Sequence, residues 1–174
     1  MKLSSLAISG VRNIVDISIV DLGDINVFTG LNGAGKTSVL EAIHILGLAR
    51  SFRGAQLQPV INYLSDTCTV FGELEPLDSD VASRVAIGVK REKKGGHKVR
   101  VAGRDEKSLV RLAELLPLQL INAASYLLLE GGPKQRRQFI DWGVFHVEQE
   151  FYCAWRRMQR SLKQRNGALR SGQA

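Results

Sequence analysis

The feature that most constrains this sequence is a glycine-rich motif at residues 30–37, Gly-Leu-Asn-Gly-Ala-Gly-Lys-Thr. It matches the P-loop pattern, in which a glycine is followed five residues later by glycine, lysine and then threonine or serine. The glycines permit turns that a Cβ would block, so that successive backbone N–H groups approach phosphate oxygens. The motif predicts a binding site for the phosphates of a nucleoside triphosphate, with ATP as the expected ligand.

Each part of the motif has an expected role. Lys36 supplies positive charge for the β- and γ-phosphates, and the hydroxyl of Thr37 is a ligand for Mg²⁺. The alternative, a glycine-rich turn without a ligand, is disfavoured because a predicted strand precedes the motif and a buried helix follows it. The residues expected to hold the nucleotide are Gly30, Leu31, Asn32, Gly33, Ala34, Gly35, Lys36, Thr37 and Ser38.

The elements that hydrolysis requires are not found in the sequence. A Walker B element needs four apolar residues before an acidic one, and the nearest matches, residues 139–141 and 64–66, are too short or interrupted. Residues 129–133 resemble an ABC signature motif but lack its serine and have Pro133 in place of its glutamine. We therefore predict no catalytic residue and expect the chain alone not to turn over ATP.

Hydrophobic periodicity predicts an α/β fold. Apolar alternation indicates strands at residues 2–9, 14–20 and 25–29, the last leading into the P-loop. A strongly apolar helix is expected from Thr37 to Leu46, with Gly47 as its stop.

Residues 66–103 alternate like the strands of an antiparallel meander. A helix is predicted at 107–115, a short buried strand at 118–121, and another helix beginning at Pro133. A long amphipathic helix is expected to follow. Its apolar stripe consists of Val147, Phe151, Ala154, Trp155, Met158 and Leu162.

Charge points to a polyanionic partner. The net charge of +7 favours nucleic acid, although a merely basic surface is an equally good explanation. One run of basic residues surrounds residues 95–96; such a run is usually a solvated hairpin tip, and it is also the best candidate here for contacts with a DNA backbone. Its members are Lys90, Arg91, Lys93, Lys94, Lys98 and Arg100, and the first five are the predicted DNA contacts.

The remaining composition excludes several classes of protein. Cys68 and Cys153 match no metal-ligand spacing and are expected to be reduced thiols. The N-terminal residues lack the apolar core of a signal peptide, and no apolar run reaches the length of a membrane span. These observations predict a cytoplasmic protein that does not enter a membrane.

Several stretches occur in an order that resembles one known family. They are Val11-Arg12-Asn13, the P-loop and its helix through Ile43, Ala49-Arg50-Ser51-Phe52-Arg53, residues 131–142 and residues 162–166. Together they resemble the N-terminal half of the RecF family, bacterial DNA replication and repair proteins that are SMC/ABC-type ATPases. Members of that family are roughly twice as long as this chain and carry Walker B and the signature motif in their second half.

The resemblance implies a P-loop NTPase fold of the ABC/SMC type. Residues 1–145 would form the ATP-binding lobe, termed lobe I, with the β-meander inserted at about 66–103. Residues 146–174 would begin a helical arm. On this interpretation the chain is an N-terminal fragment of a longer ATPase.

The resemblance also implies a function in recombinational DNA repair, replication restart and the SOS response. Family members act as dimers that enclose ATP between one subunit's P-loop and its partner's signature motif, and their expected partners are single-stranded or gapped DNA and recombination mediator proteins. Arg12 would reach the nucleotide phosphates, unless it is an ordinary surface arginine. Ala123-Ala124 departs from the family, whose members usually have Pro-Glu there.

Two other functions stay open at this stage. The missing Walker B element favours a non-catalytic nucleotide-binding module that acts only through partners. A P-loop kinase acting on a small molecule fits less well, because it accounts for neither the meander nor the basic arm.

Overall fold

The computed structural model describes residues 1–54, 58–77 and 83–172. The chain divides into two compact units, Met1–Leu118 and Gln119–Ala174. The predicted limit between the ATP-binding lobe and the arm, at residues 145 and 146, stays a prediction.

The first unit contains six strands, two α-helices and a 3₁₀ turn at Gln58–Val60 among its described residues. These elements are β1 (Lys2–Val11), β2 (Ile14–Ile19), α1 (Lys36–Leu48), β3 (Thr67–Glu75), β4 (Val85–Glu92), β5 (His97–Val101), β6 (Arg104–Glu106) and α2 (Leu109–Leu115).

All six strands belong to one antiparallel sheet in the order β2-β1-β3-β4-β5-β6. The predicted meander is confirmed as β3, β4 and β5, and β6 extends it. The meander is not a separate layer, because β3 pairs directly with β1, for example Ile8 with Val70. The β1–β2 hairpin and the meander therefore belong to one sheet.

The core lies between one face of this sheet and helix α1. Alternate residues of the strands point toward the helix and are buried, while Lys90, Lys98 and Phe71 on the opposite face are exposed. Helix α1 is apolar nearly all round, as its sequence predicts for a buried helix. The buried cluster includes Leu6, Ile8, Val70, Leu74, Ile87, Val89 and Val99 from the sheet and Val39, Ala42, Ile45 and Leu46 from α1.

The predicted strand at residues 25–29 is wrong. No strand is assigned between Ile19 and the P-loop, and the side chains of Ile25 and Val27 are 88% and 79% exposed. The alternation in the sequence is real, and Phe28 packs against the core. A strand also needs a neighbouring backbone to pair with, and no described segment pairs with residues 25–29.

Two further expectations are corrected near the end of α1. Residues 118–121 form no strand, and Ile121 is 82% exposed. Gly47 does not end the helix, which continues to Leu48 and is capped by Ala49 in the left-handed conformation at φ 50°. A Cβ at Gly47 would lie 2.6 Å from Leu118 Cδ1, so this glycine is needed for close packing and not as a stop.

The second unit is helical. It contains a 3₁₀ turn (Ala123–Tyr126) and helices α3 (Leu127–Glu130), α4 (Pro133–Val147) and α5 (Phe151–Arg170). Pro133 occupies the start of α4, as predicted. The predicted amphipathic helix is α5, except that Val147 belongs to the end of α4. No helix in the described part of the chain is both long enough and apolar enough to cross a membrane.

Candidate phosphate-binding site

A cavity of about 580 Å³ lies beside the P-loop in the first unit. Most of the motif residues named from the sequence line it, although Gly30 and Leu31 do not. The β1–β2 turn and the loop after α1 contribute further side chains. The lining residues are Arg12, Asn13, Asn32, Gly33, Ala34, Gly35, Lys36, Thr37, Ser38, Arg53 and Tyr63.

The P-loop is shaped around the ammonium group of Lys36. Its Nζ donates hydrogen bonds to the carbonyl oxygens of Gly30 at 2.7 Å and Leu31 at 2.9 Å. Gly33 and Gly35 have φ angles of 84° and 96°, a left-handed conformation that disfavours a Cβ. The loop therefore turns back on itself and holds one positive charge at its centre.

Helix α1 directs its N-terminus into the same loop. Gly35 is the N-cap residue, no side chain caps it, and the first turn contains no acidic residue. The first N–H groups of an α-helix have no partner within the helix, and they carry a partial positive charge. Together with Lys36 they form a site suited to phosphate.

Asn13 connects the β1–β2 turn to the middle of the P-loop and to the first turn of α1. Its Nδ2 donates to the carbonyl oxygen of Gly33 at 2.7 Å, and its Oδ1 accepts from Ser38 Oγ at 2.7 Å. Ser38, expected to help hold the nucleotide, is buried and engaged with Asn13. The two contacts brace the phosphate loop from outside it.

Arg12 lies in the same turn and is paired with Glu41 of α1. Its Nε and Nη2 donate to Glu41 Oε2 and Oε1 at 2.9 Å and 2.8 Å, a bidentate arrangement. The Glu41 side chain is 0% exposed. Burial raises the pKa of the Glu41 carboxyl, but hydrogen bonds from Arg12 and Ser51 outweigh it, so that the pKa is lowered. Glu41 is therefore a buried carboxylate next to the cavity.

The loop after α1 brings a second arginine to the cavity. Arg53 Nε lies 3.9 Å from Glu41 Oε2, and its backbone N–H donates to Ser51 Oγ at 3.0 Å. Tyr63, which the sequence did not single out, also lines the cavity and is 82% exposed.

The basic residues predicted to contact DNA have different surroundings. Lys90 and Lys94 are exposed, and within the described chain no hydrogen bond or ion pair is found for the ammonium group of either. Lys93 donates to the carbonyl oxygen of Tyr63, and Lys98 pairs with Asp105 at 3.0 Å. Arg91 is partly buried and donates to the carbonyl oxygen of Ala49 at the end of α1, which gives it a structural contact.

The donor set near the cavity is not that of a metal site built by the protein alone. No group of three or more His, Cys, Asp or Glu side chains suited to a metal occurs among the described residues. Thr37 follows Lys36, is exposed and lines the cavity. A single hydroxyl fits Mg²⁺, which keeps several waters and takes its other ligands from phosphates.

Comparison with known proteins agrees with this geometry. The family model described as RecF/RecN/SMC N terminal domain matches residues 2–135. The DNA replication and repair protein RecF of Pseudomonas entomophila (strain L48) is 51% identical over 172 residues, which is 99% of this chain and 46% of that protein. The chain thus spans less than half the length of this relative.

Solved structures are similar at the level of the fold. The recombination mediator protein RecF-ATP of the RecFOR pathway superimposes with a TM-score of 0.80 at 22% identity, covering 97% of this chain and 44% of that one. A structure from work on ATP-driven dimerization and DNA-stimulated activation of SMC ATPases has a TM-score of 0.63 at 17% identity, covering 80% of this chain and 98% of that one. The fold is that of RecF and SMC ATPase heads, as the sequence predicted. The chain belongs to the family of RecF/RecN/SMC N-terminal domains.

Proposed function

We propose that this chain binds ATP as the nucleotide-binding part of a DNA replication and repair ATPase. The observation that carries the proposal is the P-loop cavity, where the Lys36 ammonium and the uncapped N-terminus of α1 meet. Both features favour a polyphosphate ligand. The names of the relatives support ATP as that ligand and DNA repair as the setting.

Each residue of the site has a role in this proposal. The Lys36 ammonium exchanges its two carbonyl acceptors for β- and γ-phosphate oxygens, and backbone N–H groups of residues 33–37 surround the β-phosphate. Arg12 and Arg53 add positive charge at the cavity wall. Thr37 would give one oxygen to Mg²⁺, and the ion would supply further positive charge to the phosphates.

ATP binding without turnover is the expected behaviour of this chain. In calorimetry with Mg²⁺, we expect ATP to bind and AMP, which lacks the β- and γ-phosphates, to bind at least about tenfold more weakly. Released phosphate should stay at the level of a no-protein control, because the sequence contains no Walker B element to orient the attacking water. Equal affinities for ATP and AMP would contradict the phosphate site, and steady turnover would contradict the lack of a catalytic carboxylate.

The wider role follows the named relatives. We propose that the longer protein acts on DNA, single-stranded or gapped, as a dimer and together with recombination mediator proteins. Participation in replication restart and the SOS response, in the cytoplasm, belongs to the same proposal. Support comes from the RecF relative and from the RecFOR and SMC structures that share this fold.

Within this proposal, Lys90 and Lys94 are the leading candidates for contact with the DNA backbone. The double variant Lys90→Ala/Lys94→Ala should weaken duplex binding and reduce the slope of log affinity against log salt by about 1.8, since each lost phosphate contact releases about 0.9 fewer counterions. Fluorescence anisotropy across a salt series measures both quantities.

A double variant with the same charge change provides the control. Lys107 and Lys134 are also exposed and lie outside the hairpin at residues 90–98. Lys107→Ala/Lys134→Ala should leave the salt slope unchanged. If both double variants change the slope equally, the effect is one of net charge and the hairpin is not a DNA contact.

A further inference from the structure

The most unusual group near the cavity is the carboxylate of Glu41. Helix α1 is mostly apolar where it is buried, yet the charged Glu41 lies on that side with Ala42 and Ile45 and is 0% exposed. A carboxylate without water is strongly destabilising unless it is paired and hydrogen-bonded. A charged carboxylate in the middle of a buried helix therefore requires partners, and two of these partners, Arg12 and Arg53, line the cavity.

Both oxygens of Glu41 are occupied by side chains from other segments. Oε1 accepts from Arg12 Nη2 at 2.8 Å and from Ser51 Oγ, while Oε2 accepts from Arg12 Nε at 2.9 Å and lies 3.9 Å from Arg53 Nε. Ser51 Oγ in turn accepts from the backbone N–H of Arg53 at 3.0 Å. One carboxylate thus holds the β1–β2 turn and the loop after α1 together.

The pairing with Glu41 does not occupy all the N–H donors of Arg12. Arginine has five N–H donors. Three of them bond to Glu41 and to the carbonyl oxygen of Pro59, so that one N–H on each Nη nitrogen has no hydrogen-bond acceptor among the described residues. The backbone of Arg12 is also fixed, because its N–H donates to Val60 O at 2.7 Å and its carbonyl accepts from Asn62 Nδ2 at 2.7 Å. Arg12 is held at backbone and side chain, with two donors left for a ligand.

The net positive charge of the cluster formed by Arg12, Arg53 and Glu41 favours binding of an anion. The cluster contains two guanidinium groups and a single carboxylate, and both Arg12 and Arg53 line the cavity that the P-loop lines. A freely rotating arginine would lose side-chain entropy on binding a phosphate, whereas one already held loses less. The carboxylate thus holds the two arginines in position before a ligand binds, and it neutralises only part of their charge.

We propose that Glu41 is a positioning residue for ATP, which holds Arg12 and Arg53 against the phosphates without touching the nucleotide. The proposal rests on the proposed ATP-binding function and assigns a role to a residue outside the P-loop motif. It differs from a purely structural role, in which Glu41 would only neutralise a buried arginine. In that case its replacement would lower stability and leave the affinity of the folded protein unchanged.

The test is a double-mutant cycle on the whole chain. Glu41→Gln keeps the shape of the side chain and removes its charge, and Arg12→Ala removes the group through which Glu41 acts. Calorimetry with MgATP at a temperature where circular dichroism shows every variant folded should give a loss of about tenfold for Glu41→Gln. In the Arg12→Ala background, Glu41→Gln should cause less than half of that loss on a logarithmic scale.

A second ligand shows whether Glu41→Gln acts on binding of the phosphates or on binding of the base. Inorganic tripolyphosphate offers the phosphates without the base, so Glu41→Gln should weaken it by the same factor as ATP. The matched control is Glu114→Gln on α2, a glutamate that is 47% exposed and paired with Arg111. The control should keep wild-type affinity for both ligands.

The outcomes are distinguishable. If the wild-type chain fails to bind ATP, the proposed function and this inference both fail. If the wild type binds ATP and Glu41→Gln binds equally well while unfolding at a lower temperature, only the positioning role fails. Should Glu41→Gln not fold, Ser51→Ala removes one hydrogen bond from the same carboxylate; it should weaken ATP by about threefold, and unchanged affinity would overturn the proposal.

Discussion

Replacing Lys36 by alanine is expected to reduce ATP affinity by about 100-fold or more, the loss that accompanies removal of a charged group bonded to phosphate in a preformed site. The fold should be unaffected. Among the residues that the structure describes, the ammonium group bonds only to two carbonyl oxygens of the exposed P-loop, those of Gly30 and Leu31. Calorimetric titration with MgATP measures the affinity, and thermal unfolding without ligand checks the fold.

Lys94→Ala serves as the control. It removes the same positive charge, but Lys94 is exposed and does not line the cavity. It should keep wild-type ATP affinity. A second arm uses stability, since a ligand that binds only the folded state stabilises it by an amount that grows with the logarithm of the ligand concentration divided by Kd. At the same ATP concentration, the wild type and Lys94→Ala should be stabilised much more than Lys36→Ala. Wild-type affinity in Lys36→Ala would remove the P-loop from the proposed mechanism.

The P-loop could be predicted from the sequence because its chemistry is local. Eight consecutive residues contain the glycines, the lysine and the hydroxyl, and the helix that follows is part of the same segment. The sheet was predictable for a similar reason, since alternation along a strand shows that one face is buried. Residues 25–29 show the limit of that reasoning. They alternate as a strand does, but pairing depends on another backbone, which no local pattern records.

The contacts that complete the site could not be predicted, because they join residues far apart in the sequence. Arg12 and Glu41 are separated by 29 residues, and Asn13 reaches Gly33 across 20 residues. Within the sequence Glu41 is one polar residue in an apolar helix, with nothing to show which side it faces. The structure decides this, because α1 packs on the sheet and so directs Glu41 toward the β1–β2 turn.

Replacing Gly10 should strongly destabilise the first unit. It lies in β1 just before the β1–β2 turn, with φ at 67°, and a Cβ there would be 2.5 Å from the carbonyl oxygen of Thr67. Gly10→Ala therefore combines an unfavourable backbone conformation with a clash against backbone that cannot rotate away. We expect the free energy of unfolding to fall by about 3 kcal/mol, measured by urea denaturation.

Gly103→Ala separates the two causes. Gly103 has φ at 78°, but a Cβ there would meet no described atom within 4 Å, so its replacement should cost only about 1 kcal/mol for the left-handed conformation. The difference between the variants measures the clash, and equal losses would show that none exists.

The effect of Gly10→Ala should also reach the cavity. The carbonyl of Gly10 accepts from Asn62 N at 2.8 Å, and Asn62 Nδ2 holds the carbonyl of Arg12. Folded Gly10→Ala should thus bind ATP more weakly than folded Gly103→Ala, because the turn that carries Arg12 is displaced together with the strand.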